Sequence, residues 1–339
     1  MKAVVMAQAA PVEDGALQVV EIERPTPGPG QVLLRVTACG VCRSNLHMIE
    51  GDWLGAGVPT KLPIVPGHEA VGVVAEVGEG VDDLQEGDRV GVQPLWSTCG
   101  HCRFCLSGLD HLCQSKEITG ETLDGGYAEY MLATAAHAHK IPDGLDDAEA
   151  APLFCPGITA YGSVAKAKLG PGRRVAVFGV GGVGHMVIQF AALTGADVIA
   201  VSRGAEHREL ARELGAVETI DASAEDPGEV LSAQGGVDAA IVFAPSDAAV
   251  EQAIRGTRPG GTIVIGINAA VGALPFAEEK TVVGSLLGTR QQMREVLEIA
   301  AAGKVRAQCE RYPLERAGDA LRDLKEGRIR ARAVLVVSG

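Results

Sequence analysis

Residues 175–191 read V-A-V-F-G-V-G-G-V-G-H-M-V-I-Q-F-A. Val175 to Phe178 is a short apolar run that predicts a buried strand, and Met186 to Leu193 predicts a helix. Between them lie Gly179, Gly181, Gly182, Val183 and Gly184, a G-x-G-x-x-G turn. Such a pattern alone is weak evidence, but its place between strand and helix makes it strong. The first glycine permits the tight turn, the second lets backbone approach a pyrophosphate, and the third lets helix pack on strand. The helix N-terminus adds unpaired N–H groups and a partial positive charge for phosphates. The competing reading is a packing turn without ligand.

Outward from this turn, apolar strands alternate with helical stretches from about Ala151 to Leu287. The strands are Val175 to Phe178, Val198 to Val201, Ala239 to Phe243 and Thr262 to Ile267; Glu206 to Leu214 is a second helix. This alternation predicts an α/β domain, a doubly wound parallel sheet with helices on both faces, over 151–287. From Met1 to about Ala150 the apolar runs are short and punctuated, as in Val32 to Thr37, Val71 to Val77 and Arg89 to Val92, with turns such as P-T-P-G-P-G at 25–30. That texture predicts an antiparallel, barrel-like β region. The tail holds two amphipathic helices, Met293 to Ala302 and Arg316 to Leu324, and a last strand, Ala333 to Val337, placed to rejoin the first domain. The domains expected are therefore 1–150 with 288–339, and 151–287.

The end of the second strand of the α/β domain, V-I-A-V-S-R-G-A-E-H-R at 198–208, bears on the choice of dinucleotide. NAD-binding chains usually carry Asp or Glu here for the ribose 2′-hydroxyl. Ser202 and Arg203 stand here instead, and a missing acid with an added guanidinium suits a 2′-phosphate. NADP is favoured over NAD; the alternative is that Arg203 is a solvated surface residue.

Composition narrows the function classes. At 339 residues the chain has room for two domains of ordinary size. A net charge of −13 argues against a nucleic-acid surface, which needs clustered Lys and Arg to displace counterions. No apolar stretch reaches the length of a membrane span. The opening M-K-A-V-V-M-A-Q-A-A-P-V-E-D-G has no signal-peptide pattern, so a reducing, cytoplasmic setting is expected.

In that setting, C-G-H-C-R-F-C-L-S-G-L-D-H-L-C at 99–113 reads as a metal site. Cys99, Cys102, Cys105 and Cys113 give the ligand density of a closed tetrathiolate zinc. An iron-sulfur cubane usually takes its fourth cysteine after three residues and before proline; here seven intervene and Gln114 follows, so zinc is preferred. Three further possible ligands lie far apart: Cys42 in C-G-V-C-R-S-N-L-H, His68 in P-G-H-E and Cys155 in P-L-F-C-P-G-I-T-A-Y. Two thiolates and an imidazole would hold a tetrahedral zinc with one open position. Singly, each has a plainer reading, a small buried thiol or a satisfied core histidine.

Together these stretches carry a family pattern. G-D-W at 51–53, P-G-H-E-A-V-G-V-V-A-E-V-G at 66–78, G-D-R-V-G-V at 87–92, D-G-G-Y-A-E-Y at 124–130 and the strand-glycine-helix unit follow in order. The whole chain resembles the zinc-containing alcohol dehydrogenases of the medium-chain dehydrogenase/reductase family. That resemblance implies a GroES-like β-rich catalytic domain beside a Rossmann domain. It also implies a catalytic zinc on Cys42, His68 and Cys155 and a structural zinc on the four clustered cysteines. The reaction implied is hydride transfer between an alcohol and NAD(P), giving an aldehyde or ketone. Glu69 matches the family's near-zinc glutamate, and Ser44 and His47 match its proton relay. Arg43 and Arg332 match arginines that grip the cofactor pyrophosphate, with Arg328 and Arg330 close by, and Thr159 matches a residue beside the nicotinamide.

One departure stands out. Where the family usually has Asp accepting from the zinc-bound histidine, this chain has Asn45. A neutral amide makes His68 a weaker electron donor, so a more electrophilic zinc with lower metal affinity is expected. Trp53, and Leu95 or Trp96, match positions lining the family's substrate channel; the alternative is ordinary core packing. The compact loop from Cys113 to Gly126 resembles tetrameric members, so a homotetramer is expected. Within the family, polyol, formaldehyde and aryl-alcohol dehydrogenases are the nearest alternatives, along with zinc-free quinone or enoyl reductases; outside it, a zinc-stabilised binding module without turnover. Cys39 and Cys309 are left without a role.

Overall fold

A computed structural model describes residues 1–337, which divide into two compact units. The first comprises Met1–Cys155, Thr289–Ala301 and the residues from Ala307 on; the second comprises Pro156–Gly288 and Ala302–Arg306. The first break thus falls five residues later than the sequence texture suggests. The short turn Ala151–Phe154 stays with the first unit because Phe154 packs there: a Cβ on Gly91 would lie 2.1 Å from its ring.

The first unit is built around Gln31–Val41, an eleven-residue strand flanked by Arg332–Val336 and Ala70–Val77, both antiparallel to it. Tyr130–Thr134 also pairs with it, and the sheet continues through Arg89–Val92 to Ala138–Lys140. The strand exceeds the expected Val32 to Thr37 because its apolar run continues through Ala38, Cys39 and Val41, all buried. Two register irregularities, at Leu33/Leu34 and Val36/Ala38, bend it. Its core joins Val32, Leu34 and Val36 to Val74, Val90, Tyr127 and Leu335. The strand Arg332–Val336 makes good the expectation that the tail rejoins this unit: Ala333 faces Val41 and Leu335 faces Cys39.

The second unit is a six-stranded, all-parallel sheet. Its order is Glu218–Asp221, Asp197–Ser202, Arg174–Phe178, Val237–Val242, Thr257–Ile265, Thr281–Gly284. The strand preceding the glycine turn is therefore third in order, where connectivity reverses, the point at which sheets of this kind bind ligands beyond the strands' carboxyl ends. Near-continuous burial of Val175 to Phe178 and Val237 to Val242 follows from helices covering both faces. No described helix is long and apolar enough to cross a membrane.

Candidate active site

Two groups of metal-ligating side chains converge, both in the first unit. Cys99, Cys102, Cys105 and Cys113 point their sulfurs at one another across 3.9 Å (99–105), 3.6 Å (102–105) and 3.6 Å (113–99). A tetrahedral zinc with bonds of about 2.3 Å needs sulfur edges of about 3.8 Å, so the four fit a single ion. A disulfide needs about 2.05 Å, and every cysteine is free. The backbone N–H groups of His101 and Cys102 stabilise the Cys99 thiolate and lower its pKa to about 6. Burial, reinforced by neighbouring Cys102, pushes Cys105 up to about 11. Such thiols release protons as metal binds, so metal affinity and folding of the lobe are linked to pH.

The second group is assembled from three segments. Cys42 caps the helix Arg43–Glu50, where the positive end of the helix dipole favours a thiolate. His68 follows the turn at Gly67, and Cys155 ends the turn Ala151–Phe154. Cys42 and Cys155 place their sulfurs 3.8 Å apart, again one tetrahedral edge. Ser44 Oγ sits 2.9 Å from Cys42 Sγ and 3.4 Å from His68 Nε2. A hydrogen bond from Cys155 and the nearby His68 hold Cys42 well below the usual thiol range, while the same contact and burial push Cys155 well above it. For His68, burial acts downward but is outweighed by the Cys42 thiolate, Glu69 and Glu121, which raise it to about 9. Two thiolates and an imidazole suit a tetrahedral zinc, and one further possible donor, Glu69, stands with them.

Glu69 belongs to the same cluster, with a carboxylate oxygen within 4.8 Å of the other ligand atoms. It is fully buried, and Arg332 is 4% exposed; Arg332 Nη2 lies 2.6 Å from each Glu69 oxygen. Burial raises Glu69 to about 7 against the pull of Arg332. The Arg332 guanidinium is thus paired within the first unit, beside the cluster of Cys42, His68 and Cys155. The reason is local. Ala333 lies opposite Val41, and side-chain-free Gly40 leaves the space that Glu69 fills, since a Cβ there would fall 1.9 Å from Glu69 Oε2.

His47 lies farther along the Cys42 helix, half-exposed, with Nδ1 2.7 Å from Asp52 and its ring 5.6 Å from Trp53. No direct hydrogen bond joins it to Ser44 among the described residues. Arg43 is exposed, Trp53 packs partly buried on the core, and Leu95, only 1% exposed, gives no surface to a channel. Of the two thiols in C-G-V-C, only Cys42 joins the cluster. Cys39 lies inside the strand Gln31–Val41 and points into the core, where burial pushes its pKa far up. Cys309 donates to the Ala148 carbonyl at 3.3 Å and belongs to neither cluster.

In the second unit, Gly179 has φ +94°, and a Cβ there would meet Ala244 N at 2.8 Å. A Cβ on Gly184 would lie 1.8 Å from the Gly179 carbonyl, so helix Gly184–Leu193 can pack this closely only without one. A Cβ on Gly181 would meet nothing within 4 Å: the middle glycine faces open space, as a backbone meant to touch a ligand must. Gly182 and Val183 complete the turn. Ser202 ends its strand, its carbonyl accepting from Arg208, and Arg203 beside it is exposed. Thr159 lies in the helix Pro156–Lys166, where its carbonyl accepts from Ser163.

Comparison with known proteins agrees with this geometry. Residues 28–143 match the alcohol dehydrogenase GroES-like domain, and 182–302 match the zinc-binding dehydrogenase family. An alcohol dehydrogenase of Geobacillus stearothermophilus is 43% identical over 95% of this chain and 96% of its own. The chain belongs to the zinc-type alcohol dehydrogenases of the medium-chain dehydrogenase/reductase family. Among solved structures, the alcohol dehydrogenase of Aeropyrum pernix superposes with a TM-score of 0.90 at 33% identity, covering 99% of this chain and all of that one. The cobalt- and zinc-bound thermostable alcohol dehydrogenase of Pyrobaculum aerophilum gives 0.88 at 30% identity, with 99% of each chain covered. The protein is thus an enzyme of NAD(P)-dependent alcohol oxidoreduction that uses zinc and a nicotinamide cofactor. Its substrates are small-molecule alcohols or aldehydes.

Proposed function

We propose that each chain holds two zinc ions, a catalytic one on Cys42, His68 and Cys155 and a structural one on Cys99, Cys102, Cys105 and Cys113, and that it prefers NADP to NAD. The observation that carries the reading is the meeting of Cys42, His68 and Cys155 from three separate segments, with a 3.8 Å sulfur edge. A bound zinc supplies Lewis acidity to an alcohol or carbonyl oxygen, and a bound nicotinamide takes or returns the hydride. Ser44 Oγ is the hydroxyl beside the ligands, able to accept and donate in one relay. His47, its Nδ1 held by Asp52, is placed to exchange the proton with solvent. The glycine turn 179–184 takes the pyrophosphate, Arg43 adds an exposed cation, and Thr159 lies beside the nicotinamide. Glu69, kept beside the ligands by Arg332, is the acid poised to assist ligand exchange.

Support for NADP comes from Arg203, exposed at the strand end, with no ion pair engaging its side chain among the described residues. Free thiols throughout support a reducing, cytoplasmic compartment. A homotetramer is proposed on the edge strand discussed below. Metal analysis with an alcohol and aldehyde screen against both cofactors tests the reading. Wild type should hold two zinc ions, and Cys42→Ala or Cys155→Ala should lose one together with turnover. Arg203→Ala should lower the NADP-to-NAD efficiency ratio about ten- to a hundred-fold, the worth of a charge-assisted hydrogen bond. An unchanged ratio sinks the NADP assignment.

A further inference from the structure

His68 turns Nε2 toward Ser44 Oγ, itself 2.9 Å from Cys42 Sγ, and turns Nδ1 the other way, toward Asn45 and Glu121. An imidazole that gives its Nε2 lone pair to a metal carries its proton on Nδ1, and that N–H needs an acceptor. Asn45 is a poor one. Its Nδ2 is the atom 3.4 Å from Nδ1, while its Oδ1 accepts from the Tyr127 hydroxyl at 3.4 Å. Turning the amide over brings an oxygen to Nδ1, but a neutral one.

Glu121 brings a full charge. Its Oε1 lies 3.9 Å from His68 Nδ1, and its side chain is 14% exposed. No other ion pair or hydrogen bond engages its carboxylate among the described residues. The other acid at this centre, Glu69, is taken by Arg332. Among the described residues, Glu121 is thus a largely buried acid whose one ionisable contact is His68.

The backbone holds it there. A Cβ on Gly125 would fall 2.0 Å from the Gly67 carbonyl and one on Gly120 would fall 2.7 Å from Gly67 N, so the segment around Glu121 lies backbone-on-backbone against the residue preceding His68. Gly126 N–H donates to Gly67 O at 2.9 Å, Thr60 N–H to Glu121 O at 3.1 Å, and Glu121 N–H to Ile118 O at 3.2 Å. From this fixed backbone, an approach of about 1 Å by rotation of the glutamate side chain converts the contact into a charge-assisted hydrogen bond.

We propose that Glu121 is the charged partner of His68 Nδ1 and so a positioning residue for the catalytic zinc, supplying the negative charge that Asn45 lacks. The proposal rests on the assignment of Cys42, His68 and Cys155 as ligands. It also revises the consequence drawn from Asn45 alone: the centre is not short of a carboxylate, but draws it from another loop.

Zinc release tests it. The zinc-loaded enzyme is challenged with a chromophoric chelator, and release is followed for wild type, Glu121→Gln, Glu121→Ala, Asn45→Asp and the double variant Asn45→Asp/Glu121→Gln. Both Glu121 variants should lose one zinc about 10–100-fold faster than wild type, the cost of removing such a partner, while the other zinc leaves at the wild-type rate and reports an intact fold. Asn45→Asp in the Glu121→Gln background should restore release to within about three-fold of wild type, which a merely structural role for Glu121 would not allow. Wild-type release rates in a folded Gln or Ala variant, or no rescue by Asn45→Asp, overturn the proposal while leaving the ligand assignment intact. A wild type that holds a single zinc, unaffected by Cys42→Ala, overturns the ligand assignment and this proposal with it.

Discussion

Gly40, Glu69 and Arg332 illustrate how much a single residue decides here. The acid and the guanidinium are buried together, and the missing side chain at Gly40 makes room for them. Breaking such a pair leaves an uncompensated charge in the interior, which costs about 3–5 kcal/mol, whereas replacing both members by apolar groups is often close to neutral. Arg332→Met should therefore lower the denaturation midpoint strongly, and Glu69→Met/Arg332→Met should recover most of the loss in urea titrations. The glycine turn makes a contrasting pair. Gly184→Ala forces a contact with the Gly179 carbonyl and should destabilise the fold by about 1–3 kcal/mol. Gly181→Ala meets nothing, so it should leave stability unchanged while raising the cofactor KM about ten-fold or more, because its methyl occupies the space open to ligand. Thermal melts and initial rates on the same two proteins separate the effects. The convergence of Cys42, His68 and Cys155 was legible only through the family pattern of their flanking motifs, since each residue alone had a plainer reading. Glu121 was not, since its importance depends on Gly120 and Gly125 packing against Gly67, a contact no local pattern encodes.

At the scale of elements, apolar runs marked where strands lie and misjudged how long they are. Thr257–Ile265 starts five residues before the expected Thr262 because Thr257 pairs with Val237, while Arg258, Pro259 and Gly260 fall in the register shift that follows. Apolar periodicity marks only continuous buried runs, and here three exposed residues without a strand partner separate buried Thr257 from the rest of the strand. The same limit hid the histidines of the turn Ala135–His137 and the strand Ala138–Lys140. His137 and His139 are nearly buried, the former between the hydroxyls of Thr98 and Thr134. Burial first, then cationic Arg290 for His137 and Arg294 for His139, lowers both to about 4. In the unfolded chain they take up protons near pH 6.5. Between about pH 6.5 and 4 the unfolded state therefore binds more protons than the folded one, and stability must fall as pH falls through that window. The loss should reach about 1–3 kcal/mol for each histidine by pH 4. Urea titrations between pH 7 and 5 should give a shallower dependence for His137→Gln/His139→Gln than for wild type; equal slopes would show that these imidazoles are protonated in the fold.

For the molecule as a whole, the last strand of the parallel sheet raises the question of what covers it. Thr281–Gly284 pairs on one side with Thr262–Ile265 and ends the sheet, so its other edge carries unpaired backbone donors and acceptors. Along the chain on either side of it stand large exposed apolar residues: Val271, Leu274, Leu286 and, at 93% exposure, Phe276. Natural sheets blunt a free edge with charge, proline or cover; here Pro275, Glu278, Glu279 and Lys280 stand before the strand, but within it the side chains are only Thr281, Val282 and Val283. A second copy adding its own edge strand would pair the backbone and bury these side chains, a self-complementary contact of the kind that builds dimers and, with a second contact, tetramers. The acidic balance of the chain, −13, keeps such assemblies soluble without opposing a local apolar contact, because repulsion between surface charges is screened beyond about 8 Å at physiological salt. Light scattering should give four times the 35.0 kDa chain mass for wild type. Phe276→Asp should lower that mass at micromolar concentration without changing the far-ultraviolet circular dichroism, since the side chain packs on nothing within its own chain. A wild-type mass of one chain, or a Phe276→Asp protein that still runs as the wild-type assembly, would remove this edge as the interface.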